Sequence, residues 1–130
     1  MSEIKTFKSL LVANRGEIAA RIIKTANDIG LKTIAIYTDA DAMSPHVSLA
    51  NEAINIGTGP IAESYLSIEK IIDVAKKTGA DAIHPGYGFL SENHNFSEVC
   101  NSSGIVFVGP SPKSIELMGN KAQAKRIMKD

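Results

Sequence analysis

The feature that most limits the fold of this chain is a rhythm. A short apolar run is followed by an amphipathic stretch with helical spacing, then a glycine, then another apolar run. Glycines at 30, 79 and 104 each stand between a helical stretch and the run behind it. A glycine there accepts the left-handed backbone that ends a helix, because it has no Cβ to clash. Strands that alternate with helices through short loops pair in parallel, since the helix carries the chain back to the starting edge. The expected fold class is therefore α/β: a Rossmann-like parallel sheet with helices on both faces and right-handed crossovers.

Residues 9–13 (SLLVA) are too few for a helix and read as a buried strand. Asn14, Arg15, Gly16 and Glu17 turn the chain. Ile18, Ile22, Ala26 and Ile29, with Ala19 and Ile23 beside them, form the expected buried stripe of a first helix, with Glu17, Arg21, Lys24 and Asp28 outside it. Residues 32–37 (KTIAIY) are a second strand, followed by Asp39 and Asp41. Ser44 and Pro45 make an N-cap and N1 pair for a helical turn reaching Ala50, and residues 52–56 are a third, weaker strand. Ser67 is expected to cap a helix that turns Ile68, Ile71, Ile72 and Ala75 inward and sets Asp73 against Lys77 outward. Residues 81–84 are a fourth strand, 94–103 a helix with Phe96, Val99 and Cys100 on its inner face, and 105–108 a fifth strand. After Gly109 and Pro110 the pattern changes. Ser111 and Pro112 open a helical region that runs, uncapped, to Asp130, as a piece of a longer protein would. The expected domains are residues 1–110, and 111–130 as the truncated helical start of the region that follows.

Fourteen basic and fourteen acidic residues cancel, so no field drawing nucleic acid or an anionic membrane is expected. No apolar run approaches the ~20 residues of a membrane span. The first residues lack the apolar core of a signal peptide and are too acidic and short for an organelle-targeting sequence. A single cysteine, Cys100, fits a reducing compartment, and a cytoplasmic location is expected. Beside Phe96 and Val99, Cys100 reads as a small buried apolar group and not as a nucleophile.

The chemistry concentrates in residues 82–93 (AIHPGYGFLSEN). Pro85, Gly86 and Gly88 stop a strand and let the backbone turn tightly, and Tyr87, Phe89, Ser91, Glu92 and Asn93 lie among and after them. A polar, glycine-rich loop at the carboxyl end of a strand is where an open α/β sheet holds its ligand; the alternative is a connection whose glycines only make turns. Gly57, Gly59 and Ala62 loosely match a dinucleotide fingerprint, but Pro60 and the late cap at Ser67 delay the helix, so a plain loop is expected. Asp39 and Asp41 stand where such a fold would read a ribose. With only one glycine in the first turn, they are expected as solvated carboxylates. His46, His84 and His94 share no helical spacing with one another or with a carboxylate pair, so no metal site is expected. His84 is expected to hydrogen-bond the loop it begins. No nucleophile elbow or P-loop lysine occurs. Lys121, after Gly119 and Asn120 in a break between helices, reads either as a solvated lysine or as an ammonium reaching a ligand between domains.

Three blocks together carry a resemblance: ANRGEIA at 13–19, HPGYGFLSEN at 84–93, and FVGPS at 107–111 with MGNK at 118–121, supported by SYLSIEKII at 64–72. On these the chain resembles the N-terminal, pre-ATP-grasp domain of biotin carboxylase, from about residue 7 to 130. The second block argues against other ATP-grasp ligases such as the carbamoyl-phosphate and purine-pathway enzymes. The resemblance implies a following ATP-grasp module and a C-terminal domain, in a ligase that uses MgATP and bicarbonate, through carboxyphosphate, to carboxylate biotin at its ureido nitrogen. By motif, Lys121 matches the ATP-contacting lysine. Tyr87 and Gly88 match the glycine-loop residues bordering the bicarbonate and biotin end, with Glu92 and Asn93 as their supports. Helix 15–29 matches a region of homodimer contacts, here through Arg21, Lys24 and Asp28. No catalytic residue or metal ligand is expected within these residues: the Mg2+ ligands and general base would lie beyond residue 130, and biotin would be carried on a carrier domain. The implied partners are the rest of the biotin carboxylase chain, a biotin carboxyl carrier domain, a carboxyltransferase subunit, and a second copy or more of the enzyme.

Asn120 stands where many members have Asp, a departure that resembles acyl-CoA carboxylases of the methylcrotonyl type more than acetyl-CoA or pyruvate carboxylases. The expected class is an acyl-CoA carboxylase, of the methylcrotonyl, propionyl or acetyl type; pyruvate and urea carboxylases are alternatives, as is a free-standing nucleotide-binding or dimerisation module. The chain alone is expected to have the fold without measurable carboxylation.

Overall fold

The computed structural model describes residues 8–91 and 93–108. Its strands are β1 (Ser9–Val12), β2 (Lys32–Tyr37), β3 (Glu52–Asn55), β4 (Ala82–His84) and β5 (Val106–Phe107). They form one parallel sheet in the order β3-β2-β1-β4-β5. The helices are α1 (Gly16–Asp28), α2 (Pro45–Leu49), α3 (Ile68–Thr78) and α4 (His94–Ser102).

This order decides where the helices go. From β1 the chain steps one way to β2 and β3, then returns past β1 and steps the other way to β4 and β5. Crossovers of one hand that step in opposite directions put their helices on opposite faces. Accordingly Ala19, Ile23 and Ala26 of α1 pack with Leu10, Val12, Ala35 and Ala82. On the other face Ile71 and Ala75 of α3 and Phe96 and Cys100 of α4 pack with Leu11, Ile34, Ile36 and Ile83. The α/β class with helices on both faces is the fold this chain adopts.

The two faces are not equivalent. Strand alternation sends Ala35 and Ala82 toward α1 and Ile34, Ile36 and Ile83 toward α3 and α4. The bulky core therefore lies under α3 and α4, where each large aliphatic chain contributes about 1.5–3 kcal/mol on burial. Alanines on the first face leave α1 close to the sheet.

Helix ends follow their sequence signals. The Ser67 hydroxyl accepts the Lys70 N–H at 3.3 Å, and Gly79 closes α3 with φ of 73°. Asp73 and Lys77 pair at 3.0 Å on the exposed side, a contact worth only about 0.3–0.5 kcal/mol. Ser44 and Pro45 do open α2, but the Ser44 side chain makes no capping bond. Cys100 is buried and free, and burial pushes its thiol up to about 11, as an inert core group requires.

The stripe on α1 differs from expectation. Ala19, Ile23 and Ala26 are the buried residues, while Ile18 is 37% and Ile29 71% exposed. The helix begins at Gly16 and meets the sheet along positions 19, 23 and 26, with Ile22 partly buried beside them, so that of the expected stripe Ile18 and Ile29 alone fall outside. Ile29 has become the residue that ends the helix, and Ile18 leans instead toward Gly86, where an added Cβ would lie 3.0 Å from its Cγ2. Ile23→Ala should therefore cost about 2–5 kcal/mol, and Ile29→Ala no more than about 0.5 kcal/mol, in urea denaturation of the chain.

Candidate functional site

Ligands of open parallel sheets bind where neighbouring strands send their connections in opposite directions. Here that place is the gap between the carboxyl ends of β1 and β4. The residues leaving β1 are Ala13, Asn14, Arg15 and Gly16; those leaving β4 are Pro85 to Ser91. The glycine-rich loop singled out from the sequence is thus at the switch point.

Asn14 ties the two together. Its Nδ2 donates to the Pro85 carbonyl at 2.7 Å and to the Tyr87 carbonyl at 2.8 Å, while its Oδ1 accepts the Arg15 N–H at 2.8 Å. Both amide hydrogens are thereby used. A Cβ at Gly86 would stand 2.7 Å from that Nδ2, and Gly86 has φ of +68°, so space and backbone both require glycine there. Gly88 is also left-handed, at φ +72°. Tyr87, between the two, is 63% exposed, and a Cβ added at Gly88 would meet nothing within 4 Å.

A second group of contacts braces the loop from the side. Arg15 Nε lies 3.1 Å from Asp41 Oδ2, and its Nη2 donates to Oδ1 at 3.3 Å. The Tyr65 hydroxyl donates to Asp41 Oδ2 at 2.7 Å and accepts the Thr38 N–H at 3.3 Å. The Tyr65 ring stacks on Phe89, centroids 5.3 Å apart and planes 11° from parallel. Arg15 Cζ stands 5.8 Å from the Tyr65 centroid, within cation–π range. Burial, reinforced by the Asp41 carboxylate, pushes the Tyr65 phenol far above its usual range, so it remains a donor at any working pH.

Asp41 thereby departs from expectation: it is buried and paired, not solvated. The 3-10 turn Asp39–Asp41, closed by Asp41 N–H on the Thr38 carbonyl at 2.9 Å, swings this carboxylate inward. Asp39 stays exposed and accepts the Asn55 amide at 2.6 Å. With its oxygens engaged by Arg15 and Tyr65, Asp41 is in no position to read a ribose. The Gly57–Gly59 stretch is the plain loop expected. Lys70 Nζ closes it on the carbonyls of Ile56 at 3.3 Å and Glu63 at 2.7 Å, and no helix opens within it.

His84 bonds the loop it begins, accepting the Gly86 N–H at Nδ1 over 3.1 Å, and burial pulls its pKa below the ordinary imidazole value. His46 is buried with Nε2 3.0 Å from the Ile36 carbonyl, a core contact. Among the described residues no three His, Cys, Asp or Glu side chains gather as metal ligands would, and no helix is long and apolar enough to cross a membrane. Asn93 is exposed, and its side-chain Oδ1 caps α4 by accepting the Phe96 N–H at 2.9 Å. Arg21, Lys24 and Asp28 are all exposed on α1, away from the switch point's loop. Glu92 and Lys121 lie outside the described residues. The sequence reading missed Asn14, Arg15, Asp41 and Tyr65 as partners of the loop; only the ANRGEIA and SYLSIEKII blocks drew attention to three of the four.

The fold and this site define an open α/β domain whose strand order reverses between its first and fourth strands. The chain belongs to the biotin carboxylase N-terminal domain family, which it matches over residues 6–115. It is 55% identical over 122 residues to a biotin carboxylase of Halalkalibacterium halodurans, covering 94% of this chain and 27% of that protein. It is 53% identical over 126 residues to the mitochondrial methylcrotonoyl-CoA carboxylase subunit alpha of Dictyostelium discoideum, covering 97% of the chain and 18% of that subunit. Among solved structures it is similar to the biotin carboxylase domain dimer of Hydrogenobacter thermophilus 2-oxoglutarate carboxylase, in complex with MgADP, ADP and bicarbonate. That match has a TM-score of 0.77 and 50% identity, over 96% of this chain and 27% of that one. The chain thus spans about a quarter of the length of these relatives, or less.

Two measurements test the geometry. Asn14→Ala, which leaves the Pro85 and Tyr87 carbonyls without their donor, should cost about 1–3 kcal/mol in denaturation. Asn14→Asp, which sets a carboxylate against those carbonyls, should cost at least as much. A histidine whose folded pKa is depressed contributes stability above its unfolded pKa, near 6.5. That contribution declines as pH falls from there toward the folded value. The chain should therefore lose stability as pH falls below about 6.5, and His84→Asn, whose Oδ1 can still accept from Gly86, should lack His84's share of the slope.

Proposed function

We propose that this chain is the amino-terminal part of a biotin carboxylase, in which MgATP activates bicarbonate and the carboxyl group passes to biotin on a carrier domain. The observation that carries the reading is Tyr87: exposed beside an open Gly88, on a loop that Asn14 anchors at the switch point. An exposed flat ring next to open backbone suits a flat heterocycle and a small anion, which biotin's ureido ring and bicarbonate are.

The MgATP supplies the phosphoryl group; the residues of this chain bind and orient. Tyr87 and Gly88 border the bicarbonate and biotin end. Glu92 and Asn93 support that loop at its exit, Asn93 through its cap on α4. Lys121 sets an ammonium against ATP phosphate, favouring bound and reacting states alike. The Mg2+ ligands and the general base belong to the protein beyond residue 130, with 111–130 as the start of that region. Arg21, Lys24 and Asp28, exposed along one line of α1, are the proposed contacts with a second copy. A carrier domain and a carboxyltransferase complete the assembly. Relatives at 55, 53, 51 and 50% identity carry four different names, so the acceptor is argued from Asn120 alone, which favours the methylcrotonyl type. The single buried cysteine supports a reducing, cytoplasmic setting.

The test is a chimera in which this chain replaces the matching segment of the H. halodurans biotin carboxylase. It should release ADP in a biotin- and bicarbonate-dependent manner, and the chain alone should not. Lys121→Ala in the chimera should raise the KM for ATP by about tenfold and leave kcat within about twofold, since it removes a charge contact present equally in both states. Submicromolar ATP binding by the chain alone would favour a self-sufficient nucleotide module instead. An inactive chimera beside an active parent enzyme would overturn the proposal.

A further inference from the structure

The loop after β4 contains Phe89, the only residue other than glycine with positive φ (46°) among the described residues. A bulky side chain disfavours that backbone, so something outside the loop has to hold it. Phe89 is half-buried, and what it stacks on is Tyr65, which is fully buried and comes from the connection between β3 and α3. Tyr65 is itself fixed at its far end, with Asp41 accepting its hydroxyl proton and the Thr38 N–H bonding its oxygen. Asp41 in turn is held by Arg15, the residue immediately after Asn14. The chain of contacts therefore starts at the end of β1, crosses the end of β2 and finishes on the loop of β4, one residue from Gly88. Asn14 holds the loop's first half by its carbonyls; beyond the stack, the second half is held further along, by Leu90 buried in the core and by the Ser91 N–H on the Gly88 carbonyl at 2.9 Å and the Asn93 N–H on the Leu90 carbonyl at 3.1 Å.

We infer that the Tyr65–Phe89 stack, anchored through Asp41 to Arg15, is the positioning device that sets where Tyr87 and Gly88 stand against the carboxylated ligand. Tyr65 is a positioning residue: it acts through Phe89 and reaches no reactant. The inference rests on the functional reading above and adds to it a residue role at the bicarbonate and biotin end. A misplacement on the order of 1 Å at a reacting centre costs about 10²-fold in rate, so a ring that fixes the backbone next to that centre has a kinetic signature. That signature falls on the biotin and bicarbonate steps and spares ATP binding.

The experiment uses the chimeric biotin carboxylase, assayed well below its melting temperature, with kcat and KM measured separately for ATP, bicarbonate and biotin. Tyr65→Leu should lower kcat/KM for biotin by about 30-fold while the KM for ATP stays within about twofold. Tyr65→Phe, which keeps the stack and loses only the Asp41 bond, should lose about fivefold. Phe89→Leu, which removes the stack from the other side, should match Tyr65→Leu. Amide exchange of residues 86–90 should quicken in the same order. If Tyr65→Leu fails to fold, Phe89→Leu against Tyr65→Phe carries the comparison, with the same ranking required. The inference is overturned if the variants equal the chimera, if the KM for ATP rises with the loss, or if activity per folded molecule is unchanged. An active chimera with indifferent variants overturns this inference alone; an inactive chimera overturns the functional reading and this inference with it.

Discussion

A single carboxamide, that of Asn14, joins the end of the first strand to the loop that leaves the fourth. Its two hydrogens go to the carbonyls of Pro85 and Tyr87, and its oxygen takes the next backbone N–H of its own segment. The bonds cost no charge, and their geometry is rigid, since a planar amide has no freedom to serve both carbonyls from another orientation. Gly86 owes its lack of a side chain to this contact, because any Cβ would occupy the space of the amide nitrogen. Ile18 presses on the same glycine from α1. Strand, helix and loop thus meet around one polar group, and the exposed Tyr87 has its place because they do.

The sheet explains why such a group is needed there. A parallel strand order that reverses direction between β1 and β4 opens a gap at the carboxyl edge, where neither connection covers the backbone of the other. Buried carbonyls at that edge must find donors or lose stability. Asn14 supplies them on one side of the gap, and the Arg15–Asp41–Tyr65 group fills the other. The ion pair is lopsided: the Asp41 side chain is 10% exposed and that of Arg15 42%. Removing Arg15 would leave a nearly buried carboxylate with only the Tyr65 and Thr38 hydroxyls for partners, whereas removing both charges together would be far milder.

How much of this was legible in the residues follows from the distance over which each signal acts. The second strand, the cap at Ser67, the stop at Gly79 and the outward Asp73–Lys77 pair all depend on neighbours within a few positions, and they are where the pattern puts them. The inner line of α1 depends on how the helix meets the sheet; periodicity includes Ala19, Ile23 and Ala26 but adds Ile18 and Ile29, which the packing leaves exposed. Local pattern leaves the Asp41 carboxylate in solvent, because its partners, Arg15 and Tyr65, lie 26 and 24 positions away, beyond any local rule. The loop at 84–93 was recognisable from its glycines and its block of residues. That Asn14, more than seventy positions earlier, holds it has no periodic signature at all. Family resemblance supplied the blocks; the contacts between them needed coordinates.

The strand made first is the middle of the sheet. β1 finds β2 soon after it leaves the ribosome, but its other edge pairs with Ala82, Ile83 and His84, which are translated much later. At about 5–20 residues per second, that edge of Leu10, Leu11 and Val12 waits several seconds without its neighbour. An apolar strand with one open side is a template for the wrong partner. The nascent chain therefore passes through an interval in which the centre of its future core is the strand still open on one side.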